Sequence, residues 1–177
     1  MLKELKFKSL VNQHKNRVYN YSFYMLGNRF DADDITQEVL IRTWKNMDKF
    51  NYNSAKAWMM TTTHNLCIDY LRKNKKSNRR TKEIDEVMEE KLPDRTGISS
   101  PDGIVHEKIL DRKLKDSINC LPESVKSPFI LYQFEGLKYK EISQVLNIPL
   151  NSVRVYILRA RKKLQEELKE FVYEKDL

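Results

Sequence analysis

The chain has few of the residues that break helices or cross-link small proteins. Among its 177 residues are 4 glycines, 5 prolines and 2 cysteines. So few turn-forming residues favour helices over a sheet of short strands. Cys67 and Cys120 are far apart in sequence and match no metal-ligand spacing, so we expect neither a disulfide framework nor a zinc site. This cysteine pattern favours a protein of a reducing compartment. We expect both cysteines to be small core residues.

Long apolar runs are also missing. No stretch of about 18 consecutive apolar residues occurs, which is the length that a membrane-spanning helix needs. The first ten residues, MLKELKFKSL, lack the apolar run of a signal peptide. We therefore expect a cytoplasmic protein without membrane insertion.

Positive charge is in excess and is unevenly distributed. The net charge is +8 and the isoelectric point is about 9.3. Residues 1–80 carry a net charge of +9, residues 81–109 carry −4 and residues 110–177 carry +3. A basic chain suits an anionic partner such as nucleic acid or a membrane surface, although charge alone also fits an ordinary basic soluble protein. The stretch Leu92–Gly103 concentrates Pro, Gly, Ser and Asp, which predicts an exposed linker.

The apolar spacing predicts helices throughout and no persistent strand. Expected helices cover residues 2–26 (closed by Gly27), 31–48 (with Asp31 as cap), 54–74 (with Ser54 as cap), a stretch from about 105, one with Pro122 just inside its start and ending at Gly136, residues 139–146, and a last helix capped by Asn151 or Ser152. We therefore predict an all-α fold with two small helical domains, residues 1–80 and 110–177. A flexible acidic linker, residues 81–109, joins them.

The stretch GLKYKEISQVLNIPLNSVRVYILRARKKL, residues 136–164, has the pattern of a helix-turn-helix. The turn is Asn147–Leu150, and the second helix has a core stripe of Val153, Ile157, Ala160 and Leu164. Its opposite side carries Arg159 and other polar groups together with two apolar residues. This mixture is typical of a helix that reads bases and grips phosphates in a major groove. A helical hairpin with a solvated basic side is the alternative.

Two other features have competing interpretations. The carboxylates of DADD, residues 31–34, fit the first turn of a helix better than a magnesium site, which would need a phosphate substrate as well. The third helix has a core stripe of Ala57, Met60, His64, Cys67, Ile68 and Leu71, and a second stripe that contains Asn65. Without further information, Asn65 is a surface amide.

Both halves resemble a bacterial sigma factor of the extracytoplasmic-function (ECF) group of the sigma-70 family. LPESVKSPFILYQFEGLKYKEISQVLNIPLNSVRVYILRARKKL, residues 121–164, is similar to region four, which recognises the minus-thirty-five element. DADDITQEVLIRTWKNMDKF, residues 31–50, is similar to the region-two helix that binds core RNA polymerase. AWMMTTTHNLCIDYLRKNKK, residues 57–76, is similar to the helix that melts and reads the minus-ten element. The resemblance covers residues 1–80 and 105–170.

The resemblance implies three sets of site residues. For the minus-thirty-five element these are Asn151, Ser152, Arg154, Val155, Tyr156, Leu158, Arg159 and Lys162. For the minus-ten element they are Trp58, Thr62, His64, Asn65, Asp69, Arg72 and Lys73, with Lys75, Lys76, Arg79 and Arg80 near promoter phosphates. For polymerase they are Asp34, Gln37, Glu38, Ile41, Arg42 and Lys45.

The same resemblance implies the partners. The first implied partner is core RNA polymerase, bound through the clamp helices of its largest subunit and through its flap. The other implied partners are promoter DNA and an anti-sigma factor. The resemblance implies no enzymatic activity, metal or cofactor. The resemblance implies that the acidic linker extends through the polymerase toward the RNA exit path. A disordered tether between the two domains is the alternative. Three residues depart from the family pattern: His64 replaces a basic residue, Val155 a small polar one and Tyr156 an arginine.

Two other classes of protein remain as alternatives. A stand-alone helix-turn-helix regulator would bind duplex DNA by itself, but it would need no polymerase-docking helix and no base-flipping helix. A metal-dependent nuclease would need converging ligands, whereas His14, His64 and His106 fall in separate segments.

Overall fold

The protein is described here by a computed structural model that covers residues 2–80 and 111–173, with side chains described for 2–75 and 111–169. Within these ranges the regular structure is helical and contains no strand, so the prediction of an all-α fold is confirmed. The helices are α1 (Leu2–Leu26), α2 (Arg29–Asn46), α3 (Ala55–Arg80), α4 (residues 111–119), α5 (Glu123–Gln133), α6 (Tyr139–Leu146) and α7 (Leu150–Tyr173). Short 3-10 turns lie at Met47–Lys49 and Tyr52–Ser54. The expected linker lies outside the described residues.

The turn between α1 and α2 differs from the expectation in its cap. Gly27 has a φ of 72°, a left-handed conformation that glycine adopts without strain and that ends α1 as expected. Asn28, not Asp31, caps α2: its side-chain oxygen accepts hydrogen bonds from the backbone N–H groups of Phe30 and Asp31, at 2.8 and 3.2 Å. The expected cap was wrong because α2 begins two residues earlier, which leaves Asp31 inside its first turn.

The buried stripe of α3 differs from the prediction, whereas the helix begins directly after Ser54, the expected cap. The Ser54 hydroxyl donates to the Asn51 carbonyl at 2.9 Å within the preceding 3-10 turn. Ala57, expected on the core stripe, is exposed, whereas Met59 and Met60 are fully buried. The buried stripe is therefore rotated relative to the predicted one, and the helix continues past the expected end near Asn74.

The C-terminal helices confirm the helix-turn-helix but shift its caps. Pro122 is the residue before α5 and not inside it. The Glu141 carboxylate accepts a hydrogen bond from the Lys138 N–H at 2.8 Å and so caps α6. Asn147, with a φ of 52°, ends α6. Because α7 already begins at Leu150, the expected caps of the second helix fall within its first turn.

One apolar core runs through both halves of the chain. It combines buried residues of the N-terminal helices with buried residues of α5, α6 and α7: Val18, Tyr21, Met25, Ile35, Val39, Met59, Met60 and Cys67 on one side, and Ile130, Leu131, Leu137, Ile142, Val145, Val153 and Ile157 on the other. A smaller cluster, formed by Ile118, Leu121, Val125, Phe129, Ala160 and Leu164, fixes α4 and α5 on α7. Helix α5 packs on α1, and α6 packs on α3. The two halves therefore pack as one body in this structure.

Candidate nucleic-acid interface

Helix α7 presents a mixed face to solvent because its other face is fully used in the core. Val153, Ile157, Ala160 and Leu164 are all buried, which confirms the predicted core stripe. Helix α6, anchored by Ile142 and Val145, holds α7 from one side. The residues predicted to read the minus-thirty-five element have mixed exposure: Asn151, Arg154, Val155, Leu158, Arg159 and Lys162 are exposed, and Ser152 and Tyr156 are half-buried.

Two of these exposed residues are apolar, and this is unusual for a solvated face. Leu158 is 67% exposed and Val155 is 43% exposed. They lie beside arginines, so the face offers apolar groups for thymine methyls and guanidinium groups for guanine edges or phosphates. Tyr156 behaves differently, because its ring packs against the smaller core cluster. In the basic run that follows these residues on α7, the Arg161 guanidinium lies 5.1 Å from the Tyr132 ring centre, a contact that the sequence pattern did not indicate.

Helix α3 exposes most of the stripe predicted to read the minus-ten element. Asn65, Asp69, Arg72 and Lys73 are exposed, while Trp58 and Thr62 are half-buried. The Trp58 ring stacks on Phe50 with centroids 4.8 Å apart, and the Thr62 hydroxyl donates to the Trp58 carbonyl at 2.8 Å. The stripe therefore combines a fixed aromatic surface, an exposed amide and positive charge, which are the groups that hold unstacked bases and their phosphates.

His64 lies apart from the rest of that stripe. Its Nδ1 is 2.8 Å from the Tyr21 hydroxyl and 3.2 Å from the Ser127 hydroxyl, and those two hydroxyls are 2.6 Å apart. Burial lowers the pKa of the His64 imidazole to about 4, so the ring is neutral near pH 7. Its predicted contact with DNA stays a prediction, and in this structure α5 holds the ring through Ser127.

Helix α2 carries a separate exposed face. Of the residues predicted to bind polymerase, Asp34, Gln37, Ile41, Arg42 and Lys45 are exposed and Glu38 is half-exposed. Arg42 and Glu38 form an ion pair at 2.6 Å one turn apart. Ile41 and Trp44 project from the same helix with 48% and 39% of their surface exposed.

Trp44 is a further candidate contact on the exposed face of α2. Its ring meets Phe7 edge-on at 5.1 Å, and the Lys3 ammonium lies 5.4 Å from its centre. An anchored, part-exposed tryptophan beside an exposed isoleucine is typical of a protein-binding surface.

The described residues offer no support for a metal site or a membrane span. Within residues 2–80 and 111–173 no group of three His, Cys, Asp or Glu side chains is placed to hold a metal ion. No helix in those ranges is long and apolar enough to cross a membrane. Asp31, the first residue of DADD, interacts with the Tyr70 hydroxyl and lies in the first turn of α2.

Comparison with known proteins places the two helical units in one family. Residues 10–77 match the family model of Sigma-70 region 2, and residues 111–164 match that of Sigma-70, region 4. The chain belongs to the sigma-70 family of RNA polymerase sigma factors. The first match contains α2 and most of α3, and the second contains α5, α6 and residues 150–164 of α7.

Curated relatives of this sigma factor belong to the ECF group. It is 31% identical over 164 residues to the ECF RNA polymerase sigma factor SigE of Mycolicibacterium smegmatis, covering 90% of this chain and 60% of that protein. It is 29% identical over 175 residues to the ECF RNA polymerase sigma factor SigW of Bacillus subtilis, covering 93% of this chain and 89% of that protein.

Solved structures share the fold. The sigma factor RpoE of Bartonella quintana, in complex with the anti-sigma factor NepR, superposes with a TM-score of 0.74 at 22% identity, covering 92% of this chain and 96% of that one. CnrH, in complex with the cytosolic domain of CnrY, superposes with a TM-score of 0.65 at 19% identity, covering 93% and 88%.

Proposed function

We propose that this sigma factor directs core RNA polymerase to promoters by means of three separate faces. Helix α2 docks on the clamp helices of the largest polymerase subunit, α3 reads and melts the minus-ten element, and α7 reads the minus-thirty-five element. The observation that carries the proposal is the exposure of all three faces on one compact chain. A stand-alone regulator would have no use for the faces of α2 and α3.

The polymerase-docking role is supported by the composition of the α2 face. Ile41 and Trp44 supply apolar area, and Asp34, Arg42 and Lys45 surround them with charge. An apolar centre with a charged rim is the usual composition of a protein interface. The polymerase performs the chemistry of transcription in this account, and the sigma factor contributes binding and no catalysis.

The promoter-melting role rests on α3. Asn65 is exposed between Thr62 and Asp69, so its amide is available to pair with the edge of an extruded base. The Trp58–Phe50 stack fixes an aromatic surface one to two turns away on the same helix. Arg72 and Lys73 continue the stripe and suit contact with phosphates.

Further partners follow from the family. The C-terminal helices would contact the polymerase flap while α7 lies in the major groove. One structural neighbour, RpoE of Bartonella quintana, is a sigma factor bound to an anti-sigma factor. By analogy, we expect an anti-sigma factor to control this chain as well, in the cytoplasm where polymerase acts.

Polymerase docking can be tested at a single exposed residue. Ile41→Asp places a charge at the centre of the α2 face, so it should weaken capture of core polymerase by about tenfold or more, which is the usual effect of losing a central apolar contact. The measurement is a pull-down of core polymerase by the tagged full chain.

Leu158→Asp is the matched control, because it makes the same chemical change at an exposed residue of α7. It should leave polymerase capture almost unchanged. Equal capture by wild type, Ile41→Asp and Leu158→Asp would show that α2 is not the docking face.

A further inference from the structure

The segment that joins α2 to α3 is fixed by contacts with other elements and not by its own burial. We call residues 47–54 the connector; it consists of the two 3-10 turns and the residues between them. None of its side chains, all of which the structure describes, is buried. A segment without buried apolar side chains has little packing energy to hold one conformation. The position of the connector therefore depends on what its neighbours contribute.

Helix α1 holds the connector through Tyr52. The Tyr52 hydroxyl lies 2.8 Å from the Ser9 hydroxyl and accepts a hydrogen bond from the side-chain amide of Gln13 at 3.0 Å. Gln13 also donates to the Ser9 hydroxyl at 3.2 Å, so the three side chains form a closed set of hydrogen bonds. Ser9 and Gln13 are one helical turn apart and therefore project from the same side of α1. We call these three side chains the Tyr52 clamp.

A second contact joins α1 to the start of the connector. The Lys3 ammonium donates a hydrogen bond to the Asp48 carboxylate at 2.6 Å. The Asp48 side chain is 76% exposed, so water and salt screen this ion pair and it contributes little to the attachment. The Tyr52 clamp consists of neutral groups, which salt does not screen in this way. The clamp is therefore the main attachment of the connector to α1.

Between these two attachments the connector carries Phe50. Its ring stacks on the Trp58 ring of α3, with centroids 4.8 Å apart and planes 22° apart. Both residues are half-buried, so the stack contributes to the orientation of the indole where burial is incomplete. A shift of the connector would move Phe50 and release the Trp58 ring. The hydrogen bonds of Tyr52 are thereby linked to the aromatic surface that we propose for unstacked bases.

We propose that Tyr52 is a positioning residue for recognition of the minus-ten strand. Through Ser9 and Gln13 it fixes the connector. The fixed connector keeps Phe50 stacked on Trp58, in the orientation that accepts an unstacked base, and Tyr52 itself does not contact the strand. The inference rests on the proposed function of α3. It extends that function to α1, because neither Ser9 nor Gln13 belongs to the three sets of predicted site residues.

Pre-organisation is the physical reason for such a role. Ordering a side chain during binding costs free energy that is subtracted from the affinity. An aromatic surface that is held in place before the base arrives avoids this cost. Tyr52 is 43% exposed and lies outside the core, so loss of its hydroxyl should leave folding almost intact. The loss should instead lower the affinity for the strand.

Tyr52→Phe tests the proposal, because it removes the hydroxyl and keeps the ring. The full chain is bound to core polymerase and mixed with a labelled single strand that carries the minus-ten sequence of a promoter used by wild type. The variant should bind this strand about two- to tenfold more weakly, the effect of losing one or two hydrogen bonds. Its preference for this strand over a scrambled one should also fall. Polymerase capture and the Tm should stay near wild type, whereas a role limited to folding would lower the Tm and leave the preference unchanged.

Tyr19→Phe is the matched control, because it removes the same hydroxyl from a half-buried tyrosine of α1 whose ring stacks on Phe23 of the same helix. It should bind both strands as wild type does. Ser9→Ala combined with Gln13→Ala removes the other two members of the clamp and should reproduce the loss. Adding Tyr52→Phe to that pair should cause no further loss, because the three side chains act as one unit.

A spectroscopic measurement follows Trp58 directly. The chain has 2 tryptophans, Trp44 and Trp58, so labelling with fluorotryptophan gives one fluorine NMR resonance for each, and Trp44→Phe assigns them. Tyr52→Phe should shift or broaden the Trp58 resonance, because the ring loses its fixed partner. Tyr19→Phe should leave that resonance in place.

The outcomes separate the inference from the function on which it rests. If Tyr52→Phe binds the strand as Tyr19→Phe does, or loses affinity while the Trp58 resonance stays unchanged, Tyr52 does not position the stack and the proposed function stands. If wild type with core polymerase binds the minus-ten strand no better than the scrambled one, the proposed function of α3 has failed and the inference fails with it.

Discussion

At the scale of single residues, the buried Glu135 and the half-buried His64 respond to pH in opposite directions. Burial raises the pKa of the Glu135 carboxyl from 4.5 to about 7, although Arg17 and Lys56 act against this. Burial lowers the pKa of the His64 imidazole from 6.5 to about 4. The packed structure therefore favours the neutral form of both groups.

The direction in which each group changes stability with pH follows from the difference between its pKa in the folded and in the unfolded chain. Glu135 contributes stability that is fully present below pH 4.5 and is lost as pH rises through about 7. His64 contributes stability that is present above pH 6.5 and is lost as pH falls toward 4. His14, whose pKa is lowered by burial and by Arg17 and Lys56, also titrates below pH 6.5. Above pH 6.5, Glu135 alone of these three changes its charge.

Glu135→Gln should remove this pH dependence. Between pH 6.5 and pH 8 the Tm of wild type should fall relative to that of the variant by about 2 °C, because the carboxylate is charged against its burial while the amide is not. Thermal melts at the two pH values measure the difference. A constant difference in Tm between the two proteins would contradict the buried, titrating carboxyl.

At the scale of helices, the pattern of α7 was predictable while several helix ends were not. Its buried stripe has a spacing that only a helix brings to one face, so sequence alone identified Val153, Ile157, Ala160 and Leu164 correctly. Caps depend on backbone geometry within one or two residues. Asn28 replaced Asp31 as a cap because both are good capping residues and the local turn decides between them.

The exposed faces of α2 and α3 show that helical periodicity alone does not determine which residues are buried. Trp44 has the spacing of a core residue but is 39% exposed, although Phe7 and Lys3 contact its ring. Ala57 has core spacing on α3 but is exposed. A small rotation of a helix changes which edge residues are covered, and sequence spacing alone cannot fix that rotation.

The reading role of α7 predicts two different kinds of loss. Arg154→Ala and Arg159→Ala should each cost about 1–3 kcal/mol at promoters with the preferred minus-thirty-five base and relax the choice of that base, because a side chain on a base edge carries specificity. Lys162→Ala should weaken all sequences alike and lower the salt slope of binding by about one unit, because we propose that this lysine contacts a phosphate. The measurement is promoter affinity of the polymerase complex at several salt concentrations.

The control for these variants is Lys169→Ala, an exposed lysine beyond the matched part of α7. It should change neither base choice nor salt slope. If all of these substitutions leave promoter affinity unchanged, α7 does not read the minus-thirty-five element.

At the scale of the whole molecule, the core that the two halves share could not be predicted from the sequence. Family patterns and charge distribution indicated two helical units, but a contact such as that between Tyr21 and Ser127 joins residues 106 positions apart. No local periodicity encodes a partner at that separation. His64 illustrates the consequence: its spacing suited the core stripe, the family resemblance placed it among the DNA contacts, and only packing showed that it contacts Ser127 of α5.

In the proposed function, polymerase opens promoters only when this chain is bound to it. Permanganate modification of unpaired thymines near the start site measures that opening, with core polymerase on a promoter drawn from the chain's own genome. The experiment compares polymerase without sigma factor, with wild type, with Asn65→Ala and with the control Asn12→Ala. Asn12 is an exposed asparagine of α1.

We expect reactive thymines with wild type and with Asn12→Ala, and none with core polymerase alone. Asn65→Ala should show a clear loss, partly restored on a pre-opened template, because an extruded base would lose its partner while unstacking still costs a few kcal/mol. If wild type leaves the thymines as unreactive as polymerase alone, the chain does not open promoters. If Asn65→Ala opens them as well as Asn12→Ala does, α3 does not read the strand through Asn65.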